Sequence, residues 1–208
     1  MAPPTATSDR RAPGRLDRDD WLTQAWRAFV SGGIGAVSVN DLARQLGVSR
    51  GSFYHHFADR QDLLQELLRY WEEEWTVQVR EDVQALRLDP SQTLLALART
   101  IRHRGASRYD VRVRAWALEE PRVRSLVRRV DEERLEFIRS QFAALGFDEL
   151  EAENRARLFL YYEMVEPAVL AEQSPELEEE LLLARHALLT GRAPATVLDS
   201  PPLLEEGR

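Results

Sequence analysis

Cysteine is missing from all 208 residues, and that absence removes several classes of protein at once. It leaves no disulfide framework of the kind that staples small secreted domains, no thiolate nucleophile and no zinc-thiolate site. Lysine is missing too: all 28 basic residues are arginine, a bias from which nothing about function follows. No apolar run approaches the length that spans a bilayer. The opening stretch, MAPPTATSDRRAPGR, is rich in Pro, Ala and Arg but has no hydrophobic segment, so it reads as a disordered arm over residues 1–16 and not as a signal peptide. These absences together describe a cytoplasmic protein with no membrane partner and no cofactor.

Helical periodicity, punctuated by Gly and Pro, runs through the chain, and its most informative stretch is SVNDLARQLGVSRGSFYHHF, residues 38–57. Ser38 stands as N-cap of a helix from about Val39, with Asp41 three residues on as a near capping box. Leu42, Ala43 and Leu46 recur on one face, and Gly47 supplies the residue that takes a positive φ where the chain turns. Ser49 is a second N-cap signal. The helix it opens at Arg50 sends Arg50, Gly51 and Ser52 outward and returns Phe53 and Phe57 to the core. Tyr54, His55 and His56 then add rings and hydrogen-bonding groups beside a helix N-terminus whose amides favour phosphate. Such a helix-turn-helix surface fits the major groove of double-stranded DNA. The bland alternatives are that both serines only cap helices and that Tyr54 is partly core. A metal site at His55 and His56 is disfavoured, because adjacent helical residues diverge by about 100° and no further ligand completes it.

With Ala25 and Phe29 in the preceding helix, then Gly47-Val48-Ser49, Gly51-Ser52-Phe53-Tyr54, Phe57 and Leu63-Leu64, residues 17–66 resemble the TetR family of transcriptional regulators. The resemblance implies an all-α chain: an N-terminal three-helix helix-turn-helix DNA-binding domain, then a helical ligand-binding and dimerisation domain over 67–190, and a tail over 191–208. It also implies Ser38, Tyr54, His56 and Arg60 on phosphates, with Arg50, Gly51, Ser52 and His55 nearest the base edges and Asn40 a further base contact. Ser49 belongs to the same surface. Arg50 is the residue expected to choose sequence, since a bidentate guanidinium on guanine discriminates by roughly 1–3 kcal/mol. Position 60 holds Arg where the family usually has Lys, and His55 sits where other side chains are common, so operator preference does not carry over.

A net charge of −7 looks wrong for a nucleic-acid binder until it is divided along the chain. Residues 1–70 hold nine Arg against eight Asp and Glu, for +1, and the rest of the chain carries −8. Phosphate contact must therefore rest on local placement: Arg10, Arg11, Arg15 and Arg18 in the arm, with Arg44, Arg50 and Arg60 near the motif.

Beyond the motif, Asp59 caps a long helix in which Leu63, Leu64, Leu67, Leu68, Trp71 and Trp75 repeat every three or four positions, a lever tying the DNA-binding unit to the C-terminal two thirds of the chain. Helices are expected from Pro90 to about Arg102, from Tyr109 to Glu119, and from Pro121 to Gly146. The segment Phe147–Gln173 is apolar on more than one side, with Pro167 expected to kink or end it, and Pro175–Leu189 carries a clean stripe. The resemblance implies a homodimer built on these last two helices, which nominates Leu158, Tyr161, Tyr162, Val165, Leu177, Leu181, Ala184 and Leu188. It also implies a small-molecule effector among the middle helices. Arg102, His103, Tyr109, Arg112 and Trp116 are the polar and aromatic candidates for such a pocket, suited to an anionic or aromatic molecule, unless they form an internal ion-pair network with Glu119, Glu120 or Asp131.

Three functions compete on these residues. A dimeric repressor, released from a palindromic operator by an effector, accounts for the motif, the arginine arm and the terminal helices together. An enzyme is disfavoured, since no nucleophile, phosphate loop or paired His-Glu spacing appears. The alternative is a helical interaction adaptor with a degenerate helix-turn-helix, consistent with the low net charge of residues 1–70.

Overall fold

A computed structural model describes residues 16–169 and 174–192, with side chains omitted for 166–169. The rest of the expected arm and the tail beyond Arg192 lie outside the described residues. Among those described there are ten α-helices and no strand, and no helix is long and apolar enough to cross a membrane.

Helix α1 (Arg18–Gly32) starts at a capping box that hydrophobic periodicity does not pick out: the Asp17 carboxylate accepts from the Asp20 amide at 3.0 Å, and Asp20 accepts from the Asp17 amide at 2.8 Å. Its inward stripe is Trp21, Ala25, Trp26 and Phe29. Gly32 is needed for close approach, because a Cβ there would sit 2.7 Å from the Cβ of Ala36 in the 3₁₀ turn Ile34–Ala36. Helices α2 (Val39–Gln45) and α3 (Arg50–Phe53) begin where expected. Gly47 takes φ +69° between them, where a side chain would be strained.

Asp59 caps α4 (Arg60–Glu72), accepting from the Asp62 amide at 2.9 Å. The lever does not stop there. It widens into a π-helical segment, Glu73–Val77, and resumes as α5 (Gln78–Ala85). Then come α6 (Pro90–Arg104), α7 (Ala106–Glu119), α8 (Pro121–Ala144), α9 (Glu149–Val169) and α10 (Pro175–Thr190). Helix α9 runs two residues past Pro167, so that proline does not end the helix at its own position.

The core has two parts, and they meet inside the lever. One gathers Trp21, Trp26, Phe29, Phe53, Phe57, Trp71 and Trp75 and continues into Val113, Trp116 and the first half of α8. The other takes over from Val79 and is formed by α6, the second half of α8, α9 and α10. The DNA-binding unit therefore does not close its own core at residue 66; α1 leans on α7 through Trp26–Tyr109 and Phe29–Trp116 ring contacts at 5.2 and 6.0 Å.

Candidate nucleic-acid interface and the cavity behind the lever

Helix α3 is a single turn, held from behind by rings. Phe53 is fully buried, stacks on Phe57 at 5.3 Å and meets Trp21 edge-on at 5.3 Å. With that face anchored, the opposite face is fixed in direction. Arg50, Gly51, Tyr54 and His55 are exposed, as is Asn40 on α2, while Ser38, Ser52 and His56 are half-buried and Ser49 is exposed. Tyr54, 49 % exposed, is not core. Its hydroxyl accepts from Arg50 Nη2 at 2.8 Å, and the guanidinium lies 5.6 Å from the ring centroid. Arg50 is thus exposed on an aromatic support, with one hydrogen bond, to Tyr54, among the described residues.

Several expected contacts are placed otherwise. Ser38 and Ser49 have the extended backbone of N-caps, but neither side chain caps its helix; the capping-box partner Asp41 pairs with Arg44 at 2.6 Å instead. Arg60 is exposed, but its guanidinium folds back onto the domain's own backbone. Its Nε donates to the Val37 carbonyl at 2.7 Å and its Nη2 to the Ile34 carbonyl at 2.8 Å, so it pins the turn that leads into α2. Arg18, assigned to the arm, opens α1, pairs with Glu66 at 2.7 Å and covers the Phe57 ring at 4.7 Å. Spacing alone cannot show where Arg60 and Arg18 go, because their partners are distant in sequence or belong to the backbone.

The five residues nominated for an effector pocket do not converge. Arg102 pairs with buried Glu163 at 3.1 Å, Trp116 packs against Phe29, and His103 and Arg112 are exposed. Tyr109 lies between two indoles, 5.2 Å from Trp26 and 4.4 Å from Trp75, and burial pushes its phenol up from the ordinary range. The alternative network is not formed by Arg112 either: Asp131 accepts two bonds from Arg114, at 2.9 and 2.6 Å.

A cavity lies instead beneath the π segment, between the lever and helices α6 to α9. Its empty space is about 520 Å³ with the open mouth included, and the enclosed part is narrow, with room for a few waters. Apolar side chains make most of the wall, among them Val79, Leu97, Ile101, Phe137, Leu160 and Met164. The polar end is a network that no residue spacing announces. Asp110, 3 % exposed, accepts from Trp71 Nε1 at 2.7 Å and from Arg134 Nη1 at 2.6 Å. Arg134 also donates to Thr76 Oγ1 at 2.9 Å and to the Trp75 carbonyl at 3.0 Å, so one guanidinium joins α8 to α7 and to the widened turn of the lever. π-Helical turns inside α-helices frequently mark functional sites. Trp75 lines the same cavity, and its indole N–H is buried with no hydrogen-bond partner among the described residues, a state that costs about 1–3 kcal/mol when nothing fills it.

On the last two helices most of the nominated dimer residues are exposed. Leu158, Tyr161, Val165, Leu177, Leu181 and Leu188 are exposed, Leu188 by 77 %, and Ala184 is exposed with them. Tyr162 is half-buried under the Arg185 guanidinium, 3.8 Å from its ring centroid.

Comparison with known proteins places this geometry among bacterial regulators. Residues 22–67 match the model described as bacterial regulatory proteins, tetR family. The HTH-type transcriptional repressor KstR2 of Rhodococcus jostii RHA1 is 32 % identical over 152 residues, covering 73 % of this chain and 71 % of that protein. Its namesake in Mycobacterium tuberculosis is 38 % identical over 61 residues, 28 % of this chain and 30 % of that one. Among solved structures, a transcriptional regulator from Rhodococcus sp. RHA1 superposes with a TM-score of 0.66 at 21 % identity, over 86 % of this chain and 96 % of the other. The ketosteroid transcriptional regulator KstR2 of Mycobacterium tuberculosis gives 0.62 at 22 %, over 87 % and 97 %.

Proposed function

The chain belongs to the TetR family of bacterial regulatory proteins and is a DNA-binding transcriptional repressor; from that premise we propose that it works as a homodimer on a palindromic operator and releases it when a small molecule enters the cavity under the π segment. The observation that carries the DNA-reading part is the Arg50–Tyr54 pair on α3, aimed outward because Phe53 and Phe57 hold the helix from behind. A guanidinium so placed reaches the O6 and N7 of guanine in the major groove, while the phosphates on either side are left to Tyr54, His56 and the neighbouring amides. Asn40, Ser52 and His55 complete the reading surface.

Dimerisation is supported by the stripes on α9 and α10. Their exposed apolar side chains fall at spacings of three and four residues, 158–161–165 and 177–181–184–188, which is the pattern of a helix face that packs against another. A second copy of the same chain supplies the matching face. Two copies related by a two-fold axis would set their α3 helices for half-sites about 34–36 Å apart.

Selection of bound duplexes from a random pool tests this reading. The expected result is an inverted repeat with half-sites about one helical turn apart and affinity that falls steeply with salt. Weak, sequence-independent binding would favour the adaptor reading instead.

A further inference from the structure

We propose that the cavity beneath the π segment is a site for a neutral, largely apolar molecule carrying one hydrogen-bond acceptor oxygen, a ketone, ester or amide carbonyl, which accepts from the indole N–H of Trp75. This rests on the reading of that cavity as the effector site and adds what the effector must be.

Two independent features lead to it. The first is the orphan donor: Trp75 is 6 % exposed, lines the cavity and has no hydrogen-bond partner for Nε1 among the described residues. A buried donor gains most from an acceptor delivered without water, and a carbonyl oxygen is such an acceptor. The second is charge. The cavity lining holds two cations, Arg80 and Arg134, and two anions, Asp110 and Glu133. Asp110 and Arg134 already satisfy one another at 2.6 Å, and Glu133 is bonded to Arg129 at 3.0 Å. Arg80, half-buried and so still partly hydrated, is left without an ion pair among the described residues; the buried charges, already paired, offer an ionised ligand nothing to repay its lost hydration, which puts it at a disadvantage against a neutral one. The remaining wall is aliphatic and aromatic, which accounts for the apolar body.

The same residue gives the ligand its leverage. The Trp75 carbonyl is the atom that Arg134 holds at 3.0 Å, and its ring stacks on Tyr109 at 4.4 Å. Tyr109 in turn lies 5.2 Å from Trp26 of α1. A ligand that fills the narrow cavity and draws on Trp75 therefore acts on the widened turn of the lever and on the ring stack that reaches the DNA-binding unit.

The test uses the full chain labelled with ¹⁵N and needs no DNA, so it can fail independently of the operator reading. Five tryptophans give five indole N–H signals, and the Trp75→Phe variant, which keeps a ring against Tyr109, identifies one of them. Titration with a series of 2-alkanones from six to twelve carbons is expected to move that signal saturably and selectively. Octanoate at equal concentration should bind about tenfold more weakly than 2-nonanone, and Trp75→Phe should lose about tenfold in 2-nonanone affinity measured by calorimetry. Should Trp75→Phe not fold, Leu160→Phe narrows the cavity while keeping the indole and should abolish the response. A Trp75 signal indifferent to every ketone, tighter binding of octanoate, or undiminished binding by Trp75→Phe or Leu160→Phe would each overturn the proposal.

Discussion

The core around α1 to α4 is built on rings, Trp21, Trp26, Phe29, Phe53, Phe57 and Trp71, several in edge-to-face or stacked contact, with Leu42, Leu63, Leu64 and Leu67 packed among them. The core between α6, α8, α9 and α10 is mostly aliphatic, with Leu94, Leu97, Ile138, Leu160, Met164 and Leu182 around Phe142 and Phe159, and it buries charge among them. Glu163, 1 % exposed, accepts from Arg102 at 3.1 Å and from Arg185 at 2.6 Å; burial pushes its carboxyl up while the two arginines pull it back. Helix α10 is further tied to α6 by the Arg99–Glu179 pair and by Ser91 against His186 at 3.0 Å. Rings that interlock within a short stretch of chain make a stiff platform, suited to holding Arg50 in one direction. Helices joined by buried ion pairs come apart in discrete steps, suited to a half that must respond. The lever crosses from one regime to the other at the π segment, where Arg134 fastens it.

If that fastening is what joins the two halves, its loss should have the largest effect. Asp110→Ala leaves Arg134 buried without its anion and Trp71 without its acceptor. It is expected to cost about 3–5 kcal/mol in urea unfolding; a cost under about 1 kcal/mol would show that the halves are not joined there. Next comes the interface. Leu158→Arg with Leu181→Arg puts charge into the apolar stripe of every subunit, and sedimentation should report a folded monomer whose operator affinity falls at least about tenfold. An unchanged dimer would move the interface elsewhere. A smaller effect is expected at the platform: Arg60→Met removes two charge-assisted bonds to the turn before α2, for about 1–2 kcal/mol of stability, while the salt dependence of DNA binding stays that of the unaltered protein. A slope smaller by about one would return Arg60 to the phosphates.

The smallest effect concerns pH and the responsive half. Burial, reinforced by Arg99 and opposed by Asp89, holds the His186 imidazole below its ordinary range. The folded state then binds fewer protons than the unfolded one, so the stability present above the ordinary value of about 6.5 is lost as pH falls through it. Melting temperature should drop more steeply between pH 7 and 5 for the unaltered chain than for His186→Gln. Parallel curves would remove His186 from the docking of α10.

The ring-built half was legible because its information is local. Ser38 to Phe57 gave both helix starts, the positive φ of Gly47 and the inward turn of Phe53 and Phe57, since periodicity and turn chemistry act over a few residues. Side-chain destinations were less legible even there. Arg60 and Arg18 read as cations near a motif, and only the fold shows one spent on backbone carbonyls and the other on Glu66. In the other half the helix boundaries followed from Pro90, Pro121 and Pro175, which stand at helix starts as their fixed φ favours. The cavity did not follow, because Thr76, Asp110 and Arg134 meet across three helices and leave no trace in spacing. The π segment was hidden for a related reason: Glu72 to Glu74 reads as a solvated face of an unbroken helix, and the widened turn is fixed by a guanidinium from α8.

The central claim is that α3 reads bases through Arg50, held outward by the rings behind it. The most direct measurement is operator discrimination by Arg50→Ala: affinity for the selected site relative to the same duplex with its guanines exchanged, across a salt series. Discrimination should collapse by about 1–3 kcal/mol while binding to random duplex weakens little and the salt slope changes by at most about one. An Arg50→Ala protein that still tells the two duplexes apart as well as the unaltered chain would contradict the account.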